Sequence, residues 1–256
     1  MSGTFVAEKI DSRPSDLLFA GVTLLLAGVG AAFLFSASYY YGELQFDDSF
    51  HFIKKQSIYL LLGAVGAVLL SRIPLEKLKA WVAPILLASY LMLLLPFVPG
   101  IGGTVMGARR WIFVMGYSFQ PSEFAKLALV LYLAHIFSKK ADRIDDLVNS
   151  VVPPLIVTGL FVVTIYGQND FSTAFFLLFV GVAIFFVSGI KLSYFLFLAT
   201  AIIPLAGILI FTKEHRVQRI IAFLQPELDP SGTGYQVIAA RDALEKGGLL
   251  GVGLGQ

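Results

Sequence analysis

Cysteine is absent from this 256-residue chain, and charged residues are scarce at 14% of the sequence. Without cysteine, a disulfide framework and a thiol nucleophile are both excluded. The three histidines are scattered, which argues against a histidine-based zinc site. The net charge of +2 gives no electrostatic case for nucleic-acid binding.

Hydrophobic residues make up 57% of the chain, and the mean hydropathy is +0.81. A soluble domain carries about 25% charged residues, so this composition lies far outside the soluble class. The first apolar stretch runs uncharged from Leu17 to Gly42. It is too long for a signal-peptide core of about 7–15 residues, so we interpret it as a retained membrane span.

Seven segments reach or approach the roughly 20 apolar residues that a membrane-spanning helix needs. The sequence therefore predicts an all-α polytopic membrane protein, folded as a single domain over residues 1–256. The predicted spans are residues 17–38, 53–71, 80–98, 119–137, 147–167, 171–190 and 192–212.

The distribution of lysine and arginine predicts the orientation of these spans. Over the short loops, these residues are more frequent on the side that also holds the N-terminus, which predicts a cytoplasmic N-terminus. An odd number of spans then places residues 213–256 outside the cell, as an extracytoplasmic loop. That segment is glycine-rich and stops at Gln256 within a glycine-rich run, which predicts that the sequence is part of a longer chain.

Glu123 and Lys126 stand three residues apart at the start of the fourth predicted span, so they share one helix face. Charges inside a span are costly, and they usually face a cavity or each other. Two interpretations stay open. The pair either borders a substrate cavity or forms an interfacial ion pair without a ligand.

Arg109 and Arg110 precede Trp111 in the connection after the third predicted span. Arginine is the side chain best suited to paired hydrogen bonds with phosphate, so the two residues could hold a lipid-linked phosphate. The alternative is simple anchoring at the headgroups, beside an interfacial tryptophan.

Two aspartates stand in polar connections near the membrane. Asp170 either caps the sixth helix or pairs with a cation in a shared pocket. Asp229 begins the run Asp-Pro-Ser-Gly-Thr-Gly, which is typical of a turn and by itself is weak evidence for chemistry. The orientation places cations and carboxylates together at the outer face, which favours an anionic lipid substrate; they are Arg109, Arg110, Glu123, Lys126, Asp170 and Asp229.

Several ordered motifs together resemble one family, the SEDS peptidoglycan glycosyltransferases, over nearly the whole chain. The matching runs are residues 35–38, 52–56, 107–111, 120–126, 168–173 and 229–236. The run Gly-Val-Gly-Leu-Gly at 251–255 resembles the division-type (FtsW) group more than the elongation-type (RodA) group. The family has ten spans, so the resemblance also implies that the chain is truncated after the seventh.

The resemblance implies an enzyme that polymerises lipid II into peptidoglycan strands at the outer face of the bacterial cytoplasmic membrane, at the division septum. It implies a class B penicillin-binding protein transpeptidase and other division proteins as partners. A divalent cation, Mg²⁺ or Mn²⁺, could share the work, although no cofactor or metal ligand is evident in the sequence. A lipid II flippase and a non-catalytic division scaffold remain alternatives.

Carried over position by position, the resemblance assigns roles to six residues. Asp229 falls on the catalytic aspartate, which we expect to act as the general base. The implied substrate-binding residues are Lys55, Arg110, Glu123, Lys126 and Asp170. The chain also departs from the family pattern: it has Asn169 where relatives usually have proline, and it carries Arg241 in a stretch that is usually uncharged and serine-rich.

Overall fold

The computed structural model describes residues 14–105, 107–114, 117–196, 214–248 and 251–253, together with the isolated residues 200, 207 and 211. The chain divides into two compact units. One comprises Met1–Arg72 and Lys213–Gln256, and the other comprises Ile73–Thr212.

The first unit begins with two long apolar helices, α1 (Pro14–Phe46) and α2 (His51–Ser71), which pack against each other. Helix α1 continues past residue 38, where the sequence predicted its end, because no proline interrupts it. None of the described residues of α2 is buried within the chain. Such an unburied apolar surface is what lipid-facing helices present.

The C-terminal part of the first unit is short and more polar. It comprises α7 (Glu214–Leu224), a 3₁₀ turn at Pro226–Leu228 and α8 (Tyr235–Gly247). Most of the seventh predicted span, residues 192–212, lies outside the described residues, although residues 192–196 are helical.

The second unit is a packed bundle of four helices. Helix α3 (Leu75–Leu94) ends in a 3₁₀ turn, α4 spans Pro121–Lys139, α5 spans Val152–Gly167 and α6 spans Phe171–Val187. A π-helical turn at Leu147–Val151 precedes α5. The core of the bundle includes the fully buried side chains Leu93, Leu129, Leu133, Phe161, Ile165 and Leu177.

Four of the described helices are long and apolar enough to cross a membrane: Leu17–Phe46, His51–Ser71, Leu75–Phe97 and Leu147–Gly167. Helix α6 is equally apolar but has only 17 residues. Helix α4 carries Glu123 and Lys126 in its first two turns. The predicted class, a helical protein with several membrane spans, is thus confirmed, whereas the count of seven stays a prediction.

A small antiparallel sheet between α3 and α4 was not predicted from the sequence. Its strands are β1 (Gly102–Val105), β2 (Ala108–Val114) and β3 (Tyr117–Phe119), in the order β1-β2-β3. Gly103 pairs with Trp111 and Thr104 pairs with Arg109, so Arg110 is left as the extra residue of a β-bulge. Bulges commonly re-aim a side chain beside a functional site.

Candidate functional site

The connection between α5 and α6, residues 168–170, is anchored on two neighbouring elements. The side-chain amide of Gln168 donates to the Leu93 carbonyl at the end of α3, at 2.7 Å. The Gln168 carbonyl accepts from the Arg109 N–H of β2 at 3.0 Å, and the Asn169 amide donates to the Gly107 carbonyl at 3.3 Å. These bonds fix the connection against α3 and the sheet.

Asp170, at the end of this connection, is only 2% exposed. Its Oδ1 accepts from the Thr173 N–H at 3.2 Å and so caps α6. Its Oδ2 lies 3.1 Å from Nη1 of Arg110 and accepts from the Gln120 amide at 3.3 Å. Asp170 therefore both caps a helix and pairs with a cation, whereas the shared substrate pocket stays a prediction. A carboxylate this deeply buried needs such a partner.

Arg110 is less buried than its partner Asp170, because 32% of the Arg110 side chain is exposed. Its Nε is buried and has no hydrogen-bond partner among the described residues. The guanidinium offers five N–H donors in a rigid fork. Asp170 can therefore hold the fork in place while the exposed part of Arg110 binds an anion.

The Glu123–Lys126 pair lies on the first turns of α4, next to Gln120. Nζ of Lys126 lies 2.8 Å from Oε1 of Glu123 and 5.5 Å from the centre of the Phe176 ring. Glu123 is 60% exposed and Lys126 25% exposed. An exposed pair of this kind is worth only about 0–1 kcal/mol, so it contributes little to stability.

Asn169 has a left-handed backbone with φ of 61°, and its N–H donates to the Tyr166 carbonyl at 3.0 Å. Proline cannot adopt that φ and has no N–H to donate. The departure from the proline of the resembled family is therefore matched by a local backbone that only a residue such as asparagine or glycine adopts readily.

Asp229 stands in an exposed turn between α7 and α8. Its Oδ2 accepts from the N–H of Thr233 at 2.8 Å and from the hydroxyl of Thr233 at 3.2 Å. These bonds, led by the one from the backbone N–H, hold the pKa of the Asp229 carboxyl below its ordinary value. The carboxylate is therefore ionised and oriented at neutral pH.

Two glycines allow the Asp229 turn to close. A Cβ at Gly232 would lie 2.2 Å from Oδ2 of Asp229, and a Cβ at Gly234 would lie 2.1 Å from the Pro226 carbonyl oxygen. A side chain at Gly234 would clash with backbone, and a side chain at Gly232 would displace the Asp229 carboxylate. The spacing of aspartate and glycines in this motif is thus a direct requirement of the turn.

A shallow pocket of about 210 Å³ opens beside Asp229. Its polar lining comes from Gln218, Gln225, Asp229 and Thr233, and Ile221 and Leu228 contribute apolar walls. Such a pocket has room for a small polar group rather than for a drug-sized ligand.

Arg241, the second departure from the family pattern, joins α8 to the 3₁₀ turn. Its Nη1 lies 2.8 Å from Oε1 of Glu227, and both side chains are largely exposed. Lys55 is exposed on the first turns of α2 and has no ion pair within the described part of the chain. Its neighbour Lys54 instead pairs with Asp48 at 2.8 Å.

The structure thus brings together some of the predicted site residues. Arg110 and Asp170 are in direct contact in the second unit, and Glu123 and Lys126 pair on its α4. Lys55 and Asp229 belong to the first unit. The convergence of all six on one cavity remains a prediction.

Sequence reasoning missed Gln120 and Gln168, which position Asp170 and its connection. Gln120 precedes Pro121 at the N-cap of α4, and that capping position is the signal that could have found it. Gln168 gave no such signal, because its partner carbonyl on Leu93 lies 75 residues away in the sequence.

The described residues contain no group of three or more histidine, aspartate or glutamate side chains placed to hold a metal ion. The donor set in this part of the chain does not fit a divalent cation held by protein ligands alone.

Comparison with known proteins places these features in a family. Residues 16–256 match the FtsW/RodA/SpoVE family, which is described as a cell cycle protein. A probable peptidoglycan glycosyltransferase FtsW from Geobacter sp. (strain M18) is 37% identical, covering 94% of this chain and 66% of the relative. Stage V sporulation protein E from Bacillus subtilis (strain 168) is 35% identical, with coverage of 94% and 66%.

Solved structures agree with this match. A chain of a peptidoglycan synthase complex superposes with a TM-score of 0.63 and 28% identity, covering 86% of this chain and 65% of that one. The rod shape determining protein RodA of Thermus thermophilus gives a TM-score of 0.51 and 27% identity, covering 69% and 57%. The chain spans about two thirds of the length of the curated relatives that it matches. Because the family match covers nearly all of this sequence, the chain belongs to the FtsW/RodA/SpoVE family of cell cycle proteins.

Proposed function

We propose that the protein containing this chain polymerises lipid II into peptidoglycan strands at the outer face of the cytoplasmic membrane during cell division. The observation that carries the proposal is the Asp229 carboxylate, which is exposed, ionised and oriented by Thr233 beside an open pocket. The similarity to the Geobacter relative, which is named a probable peptidoglycan glycosyltransferase, supports the same reaction.

In this reaction a sugar hydroxyl attacks the anomeric carbon of a second saccharide. The new glycosidic bond forms as the bond to the lipid pyrophosphate breaks, and the hydroxyl proton passes to a carboxylate. General-base help of this kind contributes about 10²–10⁴-fold. A single displacement inverts the anomeric carbon, as in inverting glycosidases.

We assign Asp229 as the carboxylate that accepts this hydroxyl proton. Both Thr233 bonds end on Oδ2, so Oδ1 is the oxygen we assign to the attacking hydroxyl. A carboxyl whose pKa is held low is a weak base, but it is ionised in every molecule at neutral pH. A low pKa disfavours full protonation of Asp229 before the glycosidic bond forms, so we assign proton transfer to the same step as bond formation.

The cations act on the leaving pyrophosphate, where negative charge develops in the transition state. We assign this role to Arg110, Lys126 and Lys55. Asp170 acts through Arg110 as a positioning residue, because its own oxygens are already occupied by Arg110, Gln120 and Thr173. Glu123 orients Lys126 in the same way.

We further propose that the protein acts at the division septum with a class B penicillin-binding protein transpeptidase. The likeness to a chain of a peptidoglycan synthase complex supports a partner of this type.

The test is polymerisation by the full-length protein with its partner transpeptidase. Asp229→Asn keeps the size of the side chain and can still accept the Thr233 bonds, but it cannot take up a proton as a carboxylate does. We expect Asp229→Asn to insert and melt normally and to give almost no gel-resolved polymer from purified lipid II.

Glu227→Gln is the matched control, since it removes a carboxylate two residues away whose ion pair, within the described part of the chain, is with Arg241. It should retain polymerisation. Polymer from Asp229→Asn near the wild-type amount would remove the general-base role. Lipid II movement across vesicles that survives in that variant would instead support a flippase, and partner binding without either activity would support a scaffold.

A further inference from the structure

A second polar region lies around the connection from α4 to α5, at the opposite end of these two helices from Asp170. The chain leaves α4 at Lys139 and re-enters the bundle through the π-helical turn before α5. Between them lies a cavity of about 680 Å³. Three of its lining residues are cations, Lys139, Lys140 and Arg143.

Two of the three acidic residues around this cavity already have partners. Asp146 accepts from the backbone N–H of Asn149 at 3.1 Å and from its side-chain amide at 2.8 Å. Asp145 pairs with Lys191 at 3.1 Å. Asp142 is the remaining carboxylate of the lining.

The cations are less occupied than the carboxylates. Nζ of Lys140 donates to the Asn149 carbonyl, which closes the loop across the cavity. Lys139 and Arg143 have no ion pair within the described part of the chain, so their charges remain available to a ligand.

Ser150 also lines the cavity and is only 2% exposed. The nearby helix N-terminus is already capped, because the Asp146 carboxylate accepts from the Asn149 N–H and the Asp146 carbonyl accepts from the Ser150 N–H. Ser150 therefore contributes a hydroxyl to the lining, and the helix terminus contributes no free anion site.

The depth of the cavity in the membrane identifies the source of the anion. The apolar segment that is long enough to cross a membrane begins at Leu147, so we expect the cavity to lie at the level of the lipid headgroups. Leu147 and Val148 are 40% and 68% exposed beside it, which provides an apolar surface for an acyl chain. Basic pockets between membrane helices bind anionic headgroups through such a combination.

We propose that this cavity binds the phosphate of an anionic phospholipid such as phosphatidylglycerol. Lys139 and Arg143 contact the phosphate, the Ser150 hydroxyl donates to it, and Lys140 holds the loop that carries them.

The proposal can be tested with delipidated full-length protein in detergent, titrated with phosphatidylglycerol while the melting temperature is followed. A ligand that binds only the folded state raises the melting temperature. We expect phosphatidylglycerol to stabilise the wild type, and phosphatidylcholine and inorganic phosphate to do so far less. The double variant Lys139→Gln/Arg143→Gln should need about tenfold more phosphatidylglycerol for the same shift.

Lys77→Gln/Lys79→Gln is the matched control, because it removes two exposed cations from the start of α3 and changes the net charge equally. It should bind like the wild type. If both double variants bound phosphatidylglycerol equally weakly, the effect would come from general surface charge, and the proposed site would be overturned. Equal stabilisation by inorganic phosphate would overturn the lipid as its occupant.

Asp142→Asn tests the same site without removing a cation, so it stays informative if the double variant inserts poorly. Loss of this acidic lining residue should tighten phosphatidylglycerol binding. Unchanged or weaker binding by Asp142→Asn would contradict the proposed role of the lining charges.

Discussion

Asp170 and Asp229 stand in similar sequence contexts but in different surroundings. Each accepts a hydrogen bond from a backbone N–H three or four residues later, Thr173 for Asp170 and Thr233 for Asp229. Asp170 is buried and its second oxygen binds Arg110 and Gln120, whereas Asp229 is exposed beside an open pocket. The comparison teaches that two aspartates with a similar local hydrogen bond differ in burial and in a cationic partner, and on this difference we propose a structural role for Asp170 and a reactive role for Asp229.

The largest expected effect comes from breaking the buried ion pair. Asp170→Asn leaves the Arg110 charge without its counter-ion, and removing one partner of a buried pair costs about 3–5 kcal/mol. Because Arg110 is 32% exposed, we expect the lower end of that range, about 3 kcal/mol. The measurement is unfolding of the purified protein in detergent.

Asp229→Asn serves as the comparison for that measurement, since its turn is exposed and the asparagine oxygen can still accept the Thr233 bonds. It should unfold like the wild type. Equal destabilisation by the two variants would remove the distinction between the two aspartates.

A second test concerns the turn that orients Asp229. Gly232→Ala places a Cβ on the carboxylate oxygen, so the Asp229 carboxylate must rotate away from its position. A displacement of about 1 Å at a reacting group can cost about 10²-fold in rate. Polymerisation should fall by about that factor, while the melting temperature changes little.

Gly247→Ala is the control for this substitution, because a Cβ at Gly247 meets nothing within 4 Å. It should polymerise lipid II at the wild-type rate. A wild-type rate for Gly232→Ala as well would mean that the turn does not set the position of Asp229.

The pH dependence of the reaction provides a third, smaller effect. The pKa of Asp229 is depressed in the folded protein, so the carboxylate is ionised above its ordinary pKa of about 3.9. Its turn bonds are fully present there and are lost only as the pH falls through the depressed value. Asp229 should therefore cause no acid limb in kcat/KM between pH 5 and pH 8.

Thr233→Val sharpens this prediction by removing the hydroxyl donor while keeping the backbone N–H. Because the backbone bond is the larger cause of the depressed pKa, the acid limb should move upward only slightly. The depressed pKa would be contradicted if wild-type kcat/KM fell on the acid side of neutral pH while the residual activity of Asp229→Asn showed no such fall.

The smallest effect should come from Arg241, which ties α8 to the turn near Asp229. An exposed ion pair contributes about 0–1 kcal/mol, so Arg241→Ala should lower stability by less than 1 kcal/mol. Polymerisation should stay within about twofold of the wild type, since neither Arg241 nor Glu227 lines the pocket. A large loss of activity would show that this pair, rather than Thr233, holds the turn.

Hydropathy predicted the membrane helices well, because lipid contact requires long apolar runs. The predicted end of the second span at Ser71 and the predicted segment 147–167 agree with the structure. Helix α1 is longer than predicted and α6 shorter, since hydropathy does not encode where a helix ends. The cap and the cationic partner of Asp170 were both anticipated as alternatives.

The sheet and its contacts could not be predicted in the same way. Strands β1 to β3 are short and lie in a glycine-rich connection, so they have no clear alternation of apolar and polar residues. The bulge at Arg110 depends on pairing between strands, and the bond between Gln168 and Leu93 joins distant parts of the sequence. Such long-range contacts leave no local pattern.

The most direct test of this account measures polymer and melting temperature together for Asp229→Asn and Asp170→Asn in the full-length protein with its partner. The account predicts that Asp229→Asn melts like the wild type and makes almost no polymer. It predicts that Asp170→Asn melts lower and loses activity through the displaced Arg110. Wild-type polymerisation by folded Asp229→Asn protein would contradict the assignment of this aspartate as the base.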